Sequence, residues 1–115
     1  MCIRDRITKA ISLKGVKYIH IHTPCPPGWG YDARYTVKIG ELAVETGYWD
    51  LYEVEKGEFR LTGASARTLK KEARKPVNEY LQAQSRFRIM SPAQAADVQA
   101  RVDAKWSTYS SGAGE

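Results

Sequence analysis

No feature of the sequence limits its fold as tightly as an apolar run that stops dead in a loop of prolines and glycines. Val16-Lys17-Tyr18-Ile19-His20-Ile21-His22 is β-branched and aromatic almost throughout, the pattern of a strand buried on both faces inside a parallel sheet. Thr23-Pro24-Cys25-Pro26-Pro27-Gly28-Trp29-Gly30-Tyr31-Asp32 follows. Its density of Pro and Gly predicts a loop that is neither helix nor sheet ladder. Such a loop lies at the carboxyl end of a parallel strand, the edge where open α/β sheets bind ligands and cofactors. A central strand needs neighbours, and the rest of the sequence offers few, so the missing strands are expected upstream or on a partner.

The flanking segments alternate helix and turn signals. Ile7, Ala10, Ile11 and Lys14 recur at helical spacing and stop at Gly15, predicting the last turns of a helix whose beginning is short or missing. The opening Met1–Arg6 has no cap or turn signal, which leaves open whether residues 1–6 are native. Tyr35, Ile39, Leu42, Ala43 and Thr46 form one helical face that Gly47 ends as a left-handed cap. Tyr48–Glu55 and Glu58–Thr62 read as a hairpin across Lys56-Gly57. Residues 63–75 are small, polar and basic, and predict a mobile loop with at most a nascent helix near Thr68–Arg74. Pro76 opens a helix with Val77, Tyr80, Leu81 and Gln84 on one face. Ser91-Pro92 starts a last helix docked by Ala95, Val98, Val102 and Trp106, and residues 107–115 predict a frayed tail. The resulting organisation is an α/β part over 1–62, containing the loop 23–32 and the hairpin 48–62, a basic loop over 63–75, a helical extension over 76–106, and the tail.

Charge and composition narrow the function. With 115 residues, 43% of them hydrophobic and 27% charged, the chain has the material for one core without disulfide staples. Its apolar stretches fall far short of the roughly 20 residues that span a bilayer, so a soluble, cytoplasmic protein without a membrane partner is expected. The net charge of +5 is segregated. Glu41–Glu58 holds six acids against the single base Lys56, and Arg60–Arg88 holds eight bases against Glu72 and Glu79. A basic nucleic-acid-binding domain would interleave those bases with exposed aromatics. Tyr80 and Phe87 instead sit at core spacing, which disfavours nucleic acid. A small basic interaction module is the other non-enzyme reading, and oppositely charged segments facing each other or solvent is the plainest account.

Most catalytic constellations are absent. His20 and His22, at i and i+2 on one strand face, suit a metal pair but read better as packed histidines. Asp50, Glu53 and Glu55 read as solvent-facing hairpin acids rather than paired catalytic carboxylates. Gly28 and Gly30 lack the strand-to-helix fingerprint of a phosphate cradle. Trp29, Trp49 and Trp106 read as core or interface anchors, with Trp29 covering something beside its loop. A Cys2–Cys25 disulfide is disfavoured, since one bridge without a secretory signal does not match disulfide-stapled domains. Cys25 stands apart. Pro24 and Pro26 fix the backbone around it and Gly28 and Gly30 allow close approach, a setting suited to a thiolate ligand of an iron–sulfur cluster.

The same residues carry a family resemblance. Tyr18-Ile19-His20-Ile21-His22-Thr23-Pro24-Cys25-Pro26-Pro27-Gly28-Trp29 resembles the "FIHVLSPCPTGW" stretch of the thiamine-diphosphate-binding beta subunit of pyruvate:ferredoxin oxidoreductases, or pyruvate synthases. Leu42-Ala43-Val44-Glu45-Thr46-Gly47-Tyr48-Trp49 is similar to the family's "LAVETGYFPLYEV", and Lys75-Pro76-Val77-Asn78-Glu79-Tyr80-Leu81 with Gln84–Phe87 to its "KPVEEYLKLQGRF". The likeness runs from about Ile7 to Trp106. It implies the C-terminal part of a doubly wound, thiamine-diphosphate-binding parallel-sheet domain with a β-hairpin and a C-terminal helical extension. It also implies an enzyme that oxidatively decarboxylates pyruvate, passing the acyl group to coenzyme A and electrons through 4Fe-4S clusters to ferredoxin. Cys25 matches the late cysteine ligand of the cluster nearest the thiamine. The other three cysteines and the "GDG" stretch for diphosphate and magnesium have no counterpart here, so the chain alone is expected to be inactive. Pro27 replaces the family's Thr. The resemblance further implies alpha, gamma and delta subunits as partners. Sister enzymes for 2-oxoisovalerate or 2-oxoglutarate share the chemistry. The basic loop Arg67–Lys75 would either steer an acidic ferredoxin or wrap a neighbouring subunit.

Overall fold

The structure is a computed structural model that describes residues 3–112. Helix α1 (Ile3–Ser12) is followed by an irregular stretch, the single turn α2 (Pro26–Trp29), and a 3-10 turn at Ala33–Tyr35 that leads into α3 (Thr36–Glu45). The hairpin strands β1 (Tyr52–Glu55) and β2 (Glu58–Leu61) come next, then the turn α4 (Gly63–Arg67) and a 3-10 turn at Lys71–Ala73. The last helices are α5 (Val77–Gln82) and α6 (Pro92–Gly112), with a 3-10 turn at Ser85–Phe87 between them. The fold is mixed α/β, and the antiparallel hairpin is the only sheet among the described residues.

The core sits where α3, α5 and α6 meet. Ile39, Leu42 and Ala43 from α3, Val77, Tyr80 and Leu81 from α5, and Val102 and Trp106 from α6 form its buried cluster. The spacing predicts these faces, with Thr46 and Gln84 buried beside them and Ala95 and Val98 packed against them, except that Tyr35, expected on the α3 face, lies in the preceding 3-10 turn and is exposed. Full burial of each large apolar side chain contributes about 1.5–3 kcal/mol. Gly47 ends the α3 segment with φ +73, as predicted, and its N–H donates to the Val44 carbonyl at 3.0 Å. The Trp106 indole N–H donates to the Gly47 carbonyl at 2.8 Å, tying the α3 terminus to α6.

The hairpin has the predicted turn but shorter strands. Tyr52 faces Leu61 and Glu55 faces Glu58, leaving Lys56 and Gly57 as a two-residue loop with φ +53 and +84. Positive φ at both positions marks the type I′ turn, whose twist matches the strands. Helix α1 docks on this hairpin through charge. Lys9 reaches both Glu53 and Glu55 at 2.9 Å, and Arg6 donates to the Tyr52 carbonyl at 2.8 Å and to the Thr62 hydroxyl. Ile3, Ile7 and Ile11 remain exposed on its other side.

Four expectations need correction. Residues 16–22 form no strand, and no backbone group of 16–24 pairs with another backbone group among the described residues. Val16 and Tyr18 are almost fully exposed. A strand exists only through its ladder, and the described residues contain no parallel neighbour to complete one. The loop 23–32 contains a helical turn, because Pro26 and Pro27 occupy the first positions of α2, where a missing N–H leaves no bond unmade. Residues 63–75 are structured rather than a mobile loop. Ser65 and Thr68 are buried, and the Ser65 hydroxyl accepts from the Leu51 N–H at 2.8 Å. Residues 107–112 continue α6 instead of fraying, held by Tyr109, whose hydroxyl donates to Asp50 at 2.9 Å. Residues 113–115 of the predicted tail lie outside the described residues.

Candidate functional site

Cys25 is the N-cap residue of α2, with φ −115 and ψ 102, and its carbonyl accepts from the Trp29 N–H at 2.9 Å. Gly30 closes the turn in the left-handed region at φ +72, and its N–H donates to the Pro26 carbonyl at 2.9 Å. The Cys25 thiol is free and exposed. Cys2, the partner of the disfavoured disulfide, lies outside the described residues. Gly28 stands directly against the sulfur, since a Cβ built there would meet Cys25 Sγ at 3.2 Å. Gly28 therefore leaves space beside the thiol that an alanine would crowd. Pro24 packs beside Gly40 of α3, which a Cβ would approach to 3.6 Å, so the turn is anchored from the core side.

Trp29 does cover something. The Arg86 guanidinium lies 4.0 Å over its ring and 4.6 Å from the Phe87 ring. His22 sits 5.3 Å from Trp29 and stacks on Trp49 at 4.6 Å, while His20 meets the edge of Trp49 at 4.7 Å. Burial, then the Arg86 cation, then His20 hold His22 below the usual imidazole value of 6.5. His22 Nε2 and the Tyr31 hydroxyl are shielded without a hydrogen-bond partner. His22 is half-buried among aromatic rings, whereas His20 is exposed with its ring against Trp49. No group of three or more His, Cys, Asp or Glu side chains among the described residues could hold a metal ion. Cys25 fits one ligand position of an iron–sulfur cluster: a soft thiol, accessible, on a proline-fixed backbone with a glycine beside the sulfur. Among the described residues Cys25 is the only cysteine.

The other candidates serve structure. Asp50 is turned inward rather than to solvent, accepting from Lys105 at 2.7 Å and from Tyr109. Burial and the Asp50 carboxylate push the Tyr109 hydroxyl up to about 12. Glu53 and Glu55 share Lys9, whose hydrogen bond is the leading cause that lowers both carboxyls. Glu53 also pairs with Arg60 at 3.0 Å and Glu45 with Lys75 at 2.7 Å, so the acidic and basic segments do face each other in part. The basic loop is less free than its charge count suggests. Lys71 pairs with Asp103 at 3.0 Å, and the Arg74 side chain, 6% exposed, donates to the Thr68 and Leu69 carbonyls and lies 5.1 Å from the Trp106 ring. Arg86 and Ser85 were not singled out from the sequence. The glycine-flanked Trp29 is the signal for them, because an indole in an open loop offers its face to a cation.

The chain matches known proteins along most of its length. It is 48% identical over 99 residues to the pyruvate synthase subunit PorB of Methanothermobacter marburgensis, covering 86% of this chain and 32% of that protein. It is 44% identical over 100 residues to the PorB subunit of Methanocaldococcus jannaschii, covering 87% and 32%. The ketoisovalerate oxidoreductase subunit VorB of Pyrococcus abyssi is 34% identical over 101 residues, covering 88% and 31%. No family model matches. These relatives are all subunits of 2-oxoacid oxidoreductases by name, which sets the class of protein to which the chain is similar. The chain belongs to the family of pyruvate synthase PorB subunits, consistent with a C-terminal part of the beta subunit, and spans about a third of the length of the relatives it matches.

Proposed function

We propose that this chain is the C-terminal part of the beta subunit of a 2-oxoacid:ferredoxin oxidoreductase acting on pyruvate, in which Cys25 supplies one thiolate to a 4Fe-4S cluster. The observation that carries the reading is the free, exposed Cys25 thiol at the head of a proline-opened turn, in a chain that aligns with PorB subunits over 86% of its length. The prolines hold the Cys25 backbone so that little freedom is lost when the sulfur binds iron, and Gly28 keeps the space beside it clear. Trp29, at the far end of the turn, packs against His22, which in turn stacks on Trp49. A bound cluster supplies one-electron relay chemistry between the oxoacid and ferredoxin. Thiamine diphosphate, magnesium and the remaining cluster thiolates belong, in this reading, to parts of the protein outside this chain, as do the contacts with the alpha, gamma and delta subunits and coenzyme A. Pyruvate is preferred over 2-oxoisovalerate because identity to PorB reaches 48%, against 34% to VorB.

The test is Cys25→Ser in the complete subunit within its complex. A hydroxyl is a poor iron ligand, so the variant loses one cluster's iron and its reduced-state paramagnetic resonance signal while thiamine diphosphate still binds. Retention of every cluster at native potential removes Cys25 from the site. A higher kcat/KM on 2-oxoisovalerate than on pyruvate overturns the substrate assignment alone.

A further inference from the structure

The segment that holds the Cys25 turn in place comes from the other end of the chain. Ser85 N–H donates to the Gly30 carbonyl at 2.9 Å, and the contact is tight: a Cβ on Gly30 would lie 1.6 Å from the Ser85 hydroxyl. Gly30 is thus required twice, by its left-handed φ of +72 and by the close approach of Ser85. The next residue is Arg86. Its Nε donates to the Gln84 side-chain carbonyl at 2.9 Å, its Nη2 donates to the Tyr80 hydroxyl at 3.3 Å, and its plane lies over Trp29 with Phe87 beside it. Gln84 is in turn fixed, 1% exposed and donating to the Tyr80 carbonyl at 2.7 Å. Arg86 as a residue remains accessible to solvent, yet its guanidinium is aimed by two hydrogen bonds and two rings. Surface arginines without a task rarely give up that much rotamer freedom.

Trp29 and Cys25 are the two ends of one helical turn, joined by the Trp29 N–H to Cys25 carbonyl bond. A group that fixes Trp29 therefore fixes the backbone that presents the thiol. It also puts a guanidinium cation against that turn.

We propose that Arg86 is a positioning residue for the Cys25 site: its guanidinium, clasped by Trp29, Phe87, Gln84 and Tyr80, locks the α5–α6 connection onto the cysteine turn and sets a fixed positive charge beside the cluster that Cys25 ligates. The inference rests on the cluster reading of Cys25. A fixed cation favours the more negative, reduced cluster, so Arg86 raises its midpoint potential. Lysine in its place keeps the charge but loses the planar stack and the forked hydrogen bonds.

The experiment compares R86M and R86K in the assembled complex by redox titration of the paramagnetic signal that Cys25→Ser abolishes, with iron content and the rate of iron release to a chelator measured beside it. R86M keeps an apolar stem against Trp29 but no charge. Its reduced-to-oxidised ratio at a given potential is expected to fall about tenfold, a shift of about 59 mV for one electron. R86K is expected to return most of that shift while releasing iron several-fold faster than the native protein. Native potentials and native iron release in both variants overturn the proposal, and an R86K potential displaced as far as that of R86M overturns its electrostatic half. If Cys25→Ser itself leaves every signal in place, the cluster reading has failed instead, before Arg86 is tested.

Discussion

Replacing Gly47 by alanine separates two costs that the structure keeps apart at two glycines. Gly47 and Gly57 both have a left-handed backbone, at φ +73 and +84. An alanine in that region costs about 1–2 kcal/mol by itself. At Gly57 a Cβ meets nothing within 4 Å, so Gly57→Ala shows the backbone term alone. At Gly47 the same Cβ would lie 2.5 Å from the Trp106 indole nitrogen and 2.9 Å from both its Cε2 and the Arg74 Cδ. Trp106 cannot step aside, being 1% exposed and hydrogen-bonded to the Gly47 carbonyl. Overpacking of this kind adds about 1–3 kcal/mol, so Gly47→Ala should destabilise by about 2–5 kcal/mol in total. Urea unfolding of the dilute chain followed by tryptophan fluorescence measures both. With a slope of about 1–3 kcal/mol per molar, the Gly47→Ala midpoint should fall on the order of 1 M further than that of Gly57→Ala. In a Trp106→Leu background the excess should shrink, since the indole that supplies two of the three close contacts is gone and only the Arg74 Cδ remains. Equal midpoint losses for the two alanines, or an excess undiminished without the indole, refute the account.

Further outcomes follow from the charges. His22 is held below its usual value, so the unfolded chain binds a proton that the folded chain resists, and stability present above pH 6.5 declines as pH falls below it. His22→Gln should flatten that slope in urea titrations run between about pH 7.5 and 5. Because α1 is held by Arg6, Lys9, Glu53 and Glu55 at the surface, its amide exchange should accelerate as salt rises from about 0.05 to 1 M, with α5 amides unaffected. In the complete complex, Arg67→Glu with Lys70→Glu should slow ferredoxin association at low ionic strength without loss of stability. Arg74→Glu should unfold the chain instead, because its cation serves the Thr68 and Leu69 carbonyls and Asp103; an unchanged association rate for the first pair rejects steering.

What the sequence made legible were the elements whose reasons are local. The α3 face and its Gly47 stop, the Lys56-Gly57 turn, and the Val77, Tyr80, Leu81 and Gln84 face all follow from spacing and φ, which a few neighbouring residues decide. The misreadings have one physical origin: a segment judged by its own side chains when its partners decide. Val16–His22 has strand composition, but a ladder needs a second backbone. Residues 63–75 contain no apolar period, so the burial of Ser65 and Thr68 by hydrogen bonding left no trace in hydropathy. Residues 107–112 read as tail because Tyr109 finds Asp50 at a sequence separation of 59. In the proposed site, the prolines around Cys25 single it out in the sequence, whereas nothing local singles out Arg86, because an arginine in a basic segment looks like solvent-facing charge until its contact with Trp29 is seen.

Helix α6 has 21 residues, about 31 Å at 1.5 Å per residue, and along that length it answers needs raised much earlier in the chain. Gln99 accepts from the Val77 N–H, Asp103 holds Lys71 and Arg74, Lys105 and Tyr109 satisfy Asp50, and Trp106 caps Gly47. During synthesis, therefore, the α3 terminus and the Asp50 carboxylate leave the ribosome well before the groups that complete them. With a delivery rate of about 5–20 residues per second, they wait on the order of seconds. Premature termination anywhere between Gln99 and Tyr109 does not trim an end. It withholds the closing piece, and a nascent chain stopped there presents the cell's quality control with an unfinished core rather than a slightly shorter protein.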